Sequence, residues 1–117
     1  MQVPTFTATI YVGFRVGPLN EPEKRFHGIS DVDEVCQAFC NEIGLCVTVS
    51  PTMYIYKGGK EHGAAIGLIN YPRFPKQPEE IRATALKLAE LLRVKLDQFK
   101  VSVVFPDITV MIGEDKH

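Results

Sequence analysis

Residues 5–16 read Thr-Phe-Thr-Ala-Thr-Ile-Tyr-Val-Gly-Phe-Arg-Val, and this stretch decides the fold class. Apolar residues occupy every even position, whereas threonines, Tyr11, Gly13 and Arg15 occupy the odd positions. A repeat of two residues is typical of a β-strand that buries one face and leaves the other open. The stretch therefore predicts a first strand with one face in a core and a second, open face.

Two helices are predicted from apolar residues at helical spacing. The first begins at Ser30, an N-cap residue followed by acidic side chains, and ends at Gly44. The second begins at Gln77 with Pro78 in its first position and extends to Leu96. The predicted buried stripes are Val32, Val35, Cys36, Phe39, Cys40 and Ile43 in the first helix, and Ile81, Ala85, Leu88, Leu92 and Leu96 in the second.

The remaining strands are less regular in sequence. Residues 45–57 are rich in β-branched residues, but Pro51 interrupts them, which predicts an irregular or bulged edge strand. The glycines of residues 57–63 indicate a hairpin connection. The other predicted strands are residues 64–71, which are nearly all apolar and therefore central, 101–105 and a short one at 108–112.

The order of elements is β-α-β-β-α-β with one extra short C-terminal strand. Two helices that each bury one stripe must share one face of the sheet, which predicts an α+β fold, a two-layer α/β sandwich. The ferredoxin-like arrangement, with the first and third strands central, is the expected threading. Residues 1–117 are predicted to form a single domain.

Composition excludes several classes of protein. With 13 basic and 14 acidic side chains the net charge is −1, which argues against a nucleic-acid partner. No apolar run approaches about 18 residues, so no membrane partner is predicted. The three cysteines are an odd number and the N-terminus shows no secretion signal, so we expect a reducing, cytoplasmic location. No cofactor is predicted.

One predicted end of the sheet collects cationic and glycine residues. If the first two strands are parallel, the loop of residues 17–29 and the 57–63 hairpin lie at the same end, together with the start of the first helix. Helix N-termini and glycine-rich backbone bind anions, whereas the alternative is an ordinary solvated turn. The predicted ligand-binding residues are Lys24, Arg25, His27, Lys57, Gly58, Gly59 and Lys60.

Glu61 and His62 at the same hairpin are the candidate catalytic residues. A carboxylate and an imidazole can act as an acid/base pair near neutral pH. Adjacent residues of a strand point to opposite faces, however, and a solvent-facing pair at the end of a hairpin explains them more simply.

The three cysteines allow two interpretations. Cys36 and Cys40 share one face of the first helix, and with Cys46 and a histidine they could hold zinc. Their spacing matches no strong metal motif, and two of them lie on the apolar stripe. Small buried hydrophobic residues are therefore the preferred interpretation, and no metal is predicted.

Residues 71–76, Tyr-Pro-Arg-Phe-Pro-Lys, are the most distinctive short string. Arg73 could bind a carboxylate or phosphate in a bidentate manner, and the aromatic–proline bond could be cis. The alternative is a rigid connector whose Phe74 packs at the edge of the core.

The open face of the predicted sheet combines threonines with aromatic residues. Tyr11, Tyr54 and Tyr56 are expected on it, and a half-apolar sheet face suits packing against a second copy. These three tyrosines are the predicted interface of a homo-oligomer.

The sequence contains no strong catalytic motif. The leading prediction is therefore a non-catalytic cytoplasmic binding module, oligomeric through its open face, that engages a protein partner or a small anionic ligand. One alternative is a small enzyme with His62 or Glu61 as general base on an anionic substrate. A second alternative is a purely structural assembly protein.

Overall fold

The computed structural model describes residues 1–17 and 26–114. It contains two helices and five strands in the order β-α-β-β-α-β-β. The elements are β1 (Thr7–Gly13), α1 (Ile29–Ile43), β2 (Thr48–Tyr56), β3 (Gly59–Ile69), α2 (Pro78–Lys95), β4 (Lys100–Val104) and β5 (Thr109–Gly113).

The five strands form one antiparallel sheet in the order β2-β3-β1-β4-β5. Both helices contribute to a single core on one face of this sheet, which confirms the predicted two-layer α+β fold. Since β1 and β2 are each antiparallel to β3, they run in the same direction. The end of β1, the start of α1 and the β2–β3 turn therefore lie at one end of the molecule, which we call the hairpin end.

The core confirms the alternation in β1 and the stripe on α2. Ile10 and Val12 of β1 are fully buried, as are Leu88 and Leu92 of α2. Together with Ile66 they are among the largest fully buried side chains of one core cluster, and the removal of such apolar groups from water is the main favourable term in folding.

Three predicted boundaries were wrong. β3 runs from Gly59 to Ile69 rather than over residues 64–71, because most of the predicted 57–63 connection pairs with β2. β1 is shorter than residues 5–16, because its regular ladder ends at Gly13. Beyond it the Phe14 N–H still donates to the His62 carbonyl at 3.1 Å, and Arg15 forms an isolated bridge with Phe26. The N-cap of α1 is Gly28 rather than Ser30, since the Gly28 carbonyl already accepts a hydrogen bond from the Asp31 N–H at 3.0 Å. The Asp31 carboxylate in turn accepts from the Gly28 N–H at 3.1 Å.

The predicted interruption of β2 at Pro51 was also wrong. β2 pairs with β3 in one unbroken register from Thr48 opposite Gly67 to Tyr56 opposite Gly59. β2 is an edge strand, so the missing N–H of Pro51 removes no ladder hydrogen bond when it faces away from β3. The turn itself consists of Lys57 and Gly58, whose φ of 85° suits glycine.

His27 fastens the start of α1 to the end of α2. Its Nδ1 lies 3.0 Å from an oxygen of Asp31, and its Nε2 lies 2.8 Å from an oxygen of Asp97. Carboxylates only accept, so both hydrogen bonds form together when both ring nitrogens carry hydrogen. The Gly28 N–H and the His27 ring together hold the pKa of Asp31 below its ordinary value.

Among the described residues, no helix combines the length and apolar character that crossing a membrane requires.

Candidate active site

The sheet face opposite the helices, the open face, gathers polar and aromatic side chains at the hairpin end. Opposed residues of an antiparallel pair share a face, and the register places Tyr54 opposite Glu61 and Tyr11 opposite Ala65. Since Glu61 and Ala65 lie an even number of residues apart on β3, all four are on the open face. The rings of Tyr11 and Tyr54 meet edge to face, with centroids 6.5 Å apart.

Tyr54 lies across β3 rather than standing up from the sheet. Its hydroxyl is 3.0 Å from the Ala64 carbonyl of β3 and 3.1 Å from the Val12 carbonyl of β1. Gly63 makes this position available, because a Cβ at residue 63 would come within 2.4 Å of the Tyr54 ring. Tyr54 is therefore a fixed aromatic platform between two strands.

The surroundings of Tyr54 keep its hydroxyl neutral. Burial raises the pKa of Tyr54 to about 12, and the neighbouring Tyr11 and Glu61 act in the same direction. A phenolate is disfavoured in a partly buried position beside a carboxylate. Near neutral pH Tyr54 can donate a hydrogen bond, but it cannot serve as a base.

We expect this shift to make stability fall as the pH rises from about 10 towards 12. In that interval the unfolded chain loses the tyrosine proton, at an ordinary pKa near 10.0, whereas folded Tyr54 keeps it. Urea unfolding between pH 9.5 and 12 should therefore show a shallower loss of stability in Tyr54→Phe than in the wild type. An identical pH dependence of the two proteins would contradict the raised pKa.

Glu61 and Gln98 come close to the backbone at Gly13. A Cβ built on Gly13 would meet the Gln98 side-chain oxygen at 3.3 Å and a Glu61 carboxylate oxygen at 3.5 Å. Glycine at residue 13 thus lets these two polar groups approach the end of β1. Gln98 is itself held in place, since its Nε2 donates to the Arg15 and Leu96 carbonyls at 2.9 Å.

A cavity of about 290 Å³ opens at the hairpin end beside these groups. Charged side chains reach it from two strands, namely Arg15 from the extension of β1, and Lys60 and Glu61 from β3. Its apolar walls come from Phe26, Met53 and Tyr56, and Gly59 and His62 complete the lining. A concave surface with both charges and aromatic groups is suited to a small zwitterionic or cationic ligand.

The structure brings together only part of the predicted site. Glu61, His62, Lys60 and Gly59 line the cavity just described, close to the Lys57–Gly58 turn. His27 instead contacts Asp31 and Asp97. Lys24 and Arg25 lie outside the described residues, so their predicted role in ligand binding stays a prediction.

Glu61 and His62 take alternate positions on β3. His62 pairs with Met53, whereas Glu61 pairs with Tyr54 on the open face. Glu61, rather than His62, is thus the candidate that shares the open face with the two tyrosines.

The cysteines are unpaired and differ in exposure. Cys36 is buried, Cys40 is half-buried and Cys46 is exposed. Burial raises the pKa of Cys36 to about 12 and raises that of Cys40 as well. Within residues 1–17 and 26–114, no group of three or more His, Cys, Asp or Glu side chains is arranged to hold a metal ion.

Sequence reasoning missed two contributors to the site, Gln98 and the glycine pair. Gln98 follows α2 and lies far from the hairpin in the sequence, so nothing local points to it. Gly13 and Gly63 did carry a signal, because glycine inside a strand often marks the close approach of another group. They are opposite each other in the β1–β3 register.

The fold matches that of an enzyme. No protein-family model and no curated protein matches the chain. A phage SAM lyase in the apo state is 20% identical, with a TM-score of 0.73 over 96% of this chain and 91% of that one. A phage SAM lyase in complex with S-methyl-5′-thioadenosine is 21% identical, with a TM-score of 0.71 over 93% and 89% of the two chains.

These neighbours contradict the prediction of a non-catalytic binding module, and with it the preference for a protein that is not an enzyme. The prediction relied on the absence of a local catalytic motif. Here the polar groups of the candidate site come from separate strands, so no short motif records them. The alternative of a small enzyme agrees better with the structural neighbours, and its assignment of His62 or Glu61 as the general base stays a prediction.

Proposed function

We propose that this protein is a lyase that acts on SAM (S-adenosylmethionine) and releases S-methyl-5′-thioadenosine. Two independent features support the proposal. The likeness to the phage SAM lyase extends over 96% of this chain, so it includes the candidate site. The observation that carries the proposal is the position of Glu61 on the open face, opposite Tyr54 and on the lining of the cavity that Arg15 and Lys60 also reach.

The substrate's charge fits these side chains. S-adenosylmethionine carries a positive sulfonium, and aromatic faces and carboxylates attract cations. Tyr11, Tyr54 and Glu61 supply both kinds of group within one patch. Arg15 and Lys60 line the adjoining cavity and can receive the substrate's carboxylate. The proposed substrate is therefore a zwitterion with an additional positive charge, rather than the anion predicted in the sequence analysis.

The chemistry requires no water. Release of S-methyl-5′-thioadenosine breaks the bond between the sulfur and Cγ of the methionine part, and the sulfur leaves as a neutral thioether. Either the substrate's own carboxylate attacks Cγ and closes a lactone, or a base removes a proton from Cβ and leaves an alkene. In the first route Glu61 holds the cation, and in the second Glu61 accepts the proton.

Incubation of the purified protein with S-adenosylmethionine tests the proposal. We expect S-methyl-5′-thioadenosine to form far above the spontaneous rate, as measured by liquid chromatography and mass spectrometry. S-adenosylhomocysteine is the matched control, because it has the same adenosyl and amino-acid groups without the sulfonium. The four-carbon product, lactone or alkene, reports which role Glu61 plays. No increase over the spontaneous rate would exclude the proposed activity.

We further propose that two or more copies pack through the open face, as the tyrosine pattern predicts. Tyr11 and Tyr56 are 39% and 41% exposed there, and Met111 of β5 is 63% exposed. A second copy would cover these groups and remove water from the neighbourhood of Glu61, which strengthens its electrostatic interactions.

Tyr56→Glu is expected to dissociate the oligomer, because a charge would be buried between the copies. Ile55→Glu is the matched control, since Ile55 is 80% exposed at the next position of β2 and on its other side. Sedimentation velocity measures both variants. A mass that Tyr56→Glu leaves unchanged would argue against this face as the interface.

For location we propose the cytoplasm, because three cysteines cannot all pair within one chain and a reducing compartment keeps them as thiols.

A further inference from the structure

A second cavity lies at the end of the sheet far from the hairpin. Leu68 and Ile69 of β3 contribute to it, and eight residues of β3 separate Ile69 from Glu61, which corresponds to roughly 26 Å. Its volume is about 140 Å³. A cavity of about 150 Å³ with apolar walls accommodates one benzene ring. This cavity is therefore distinct from the candidate active site and large enough for an aromatic group.

The walls of this cavity are apolar, whereas its edge carries charged side chains. Leu45 and Ile81 line the wall together with the Tyr71 and Phe74 rings, whose centroids are 5.6 Å apart. Lys76 adds a cation and Glu80 an anion at the same cavity, and the Glu80 carboxylate accepts a hydrogen bond from the Gln77 N–H at 3.2 Å.

The chain segment that carries the two rings is anchored. Asn70 is buried, its side-chain amide donates to the Pro4 carbonyl at 2.8 Å, and its side-chain oxygen accepts from the Lys76 N–H at 2.9 Å. The Phe74 N–H donates to the Tyr71 carbonyl at 3.1 Å. These bonds make residues 71–76 the rigid connector expected from their prolines, and the connector forms one side of a preformed cavity.

Cys46 places a thiol on this cavity. Of the three cysteines it is the exposed one, whereas burial raises the pKa values of Cys36 and Cys40 and keeps those thiols protonated. Tyr71 lines the same cavity as Cys46, and the Cys46 thiol together with burial raises the pKa of Tyr71. Near neutral pH Tyr71 therefore presents a neutral hydroxyl at this cavity.

We propose that Cys46 is a modification site for small aromatic disulfides that carry a carboxylate. The ring occupies the apolar cavity beside Phe74, and the carboxylate faces Lys76. The Cys46 thiolate attacks one sulfur of the disulfide, a new bond forms between Cys46 and that sulfur, and the other half leaves as a thiolate. The thiol proton goes to solvent, and the disulfide is the oxidant, so the exchange is balanced.

The probe is 5,5′-dithiobis(2-nitrobenzoate), whose released aromatic thiolate is measured by absorbance in a stopped-flow instrument. We expect one fast equivalent per chain, and peptide mapping by mass spectrometry should place the adduct on Cys46. Cys46→Ser should remove the fast equivalent, whereas Cys40→Ser should retain it. A fast adduct on Cys40 or Cys36 would overturn the proposal.

Two further variants distinguish a rate effect of the cavity from an effect of thiol exposure alone. Phe74→Ala should lower the rate constant of Cys46 with the aromatic reagent about fivefold, because the packing of the two rings is lost. The rate constant with cystamine, a small cationic disulfide without a ring, should fall less than about twofold. Lys76→Gln should slow the aromatic reagent about two- to threefold at low salt and remove its salt dependence. Each rate constant is divided by that of glutathione with the same reagent. Unchanged rates in both variants would show that the cavity plays no part.

Discussion

Replacement of Glu61 by glutamine is expected to lower the rate of S-methyl-5′-thioadenosine release about a hundredfold or more. The substitution keeps the shape of the side chain and removes its negative charge. The effect is large because the carboxylate either accepts a proton or stabilises the sulfonium, and glutamine does neither. Steady-state kinetics with S-adenosylmethionine separate the two roles. Loss of the base lowers kcat, whereas loss of the cation contact also raises KM.

Glu42→Gln is the matched control for this substitution. Glu42 is an exposed carboxylate in the last turn of α1, in the helix layer rather than on the open face. Its replacement should leave the rate unchanged, and both variants should melt at the wild-type temperature. If Glu61→Gln retained the full rate of an active wild type, the proposed lyase activity would remain supported, but the proposed role of Glu61 would be wrong.

Gly63→Ala is expected to lower the free energy of unfolding by about 3 kcal/mol. Alanine normally stabilises a strand relative to glycine by limiting the unfolded chain. At residue 63, however, a Cβ would lie 2.2 Å from the Val12 carbonyl oxygen and 2.4 Å from the Tyr54 ring. The carbonyl belongs to the central strand and cannot rotate away, so the β1–β3 pairing must open. Urea unfolding measures the loss.

Gly67→Ala provides the comparison on the same strand and face. A Cβ there would meet the Thr48 hydroxyl at 2.6 Å, but a side-chain hydroxyl can turn aside. Gly67→Ala should therefore change stability by less than about 1 kcal/mol. Equal losses in the two variants would show that the backbone contact at residue 63 is not the cause.

The elements with strong periodicity were predicted correctly, and those governed by their neighbours were not. The alternation along β1 and the stripe on α2 record burial directly, because each position of the chain faces either the core or water. The edge position of β2 was predicted from Pro51 and is confirmed, but its unbroken pairing with β3 through this proline is a property of the register, which no local pattern shows. The start of α1 at Gly28 depends on the hydrogen bond from the Asp31 N–H to the Gly28 carbonyl. The sequence does not show this bond, and Ser30 was predicted instead because serine is a favourable N-cap residue.

The candidate site shows the same division. Glu61 was predicted as one of a catalytic pair, whereas Tyr11 and Tyr54 were predicted as part of an interface. Their assembly into one patch requires the register of β2 against β3 and of β3 against β1. The sequence analysis found no catalytic motif for this reason. Residues that meet only after two strand pairings leave no motif in the order of the chain.

The sequence by itself determined the class of the fold, because burying one face of β1 and one stripe of each helix allows few arrangements other than two layers. Only the tertiary structure decided that Tyr54 lies flat over Gly63, and that Glu61 and Gln98 both approach the backbone of Gly13. The physical reason is the range of the forces. Burial affects every residue and therefore appears as a periodic pattern in the sequence. Contacts of a few ångströms between residues that are far apart in the sequence, in contrast, form only when the chain has folded.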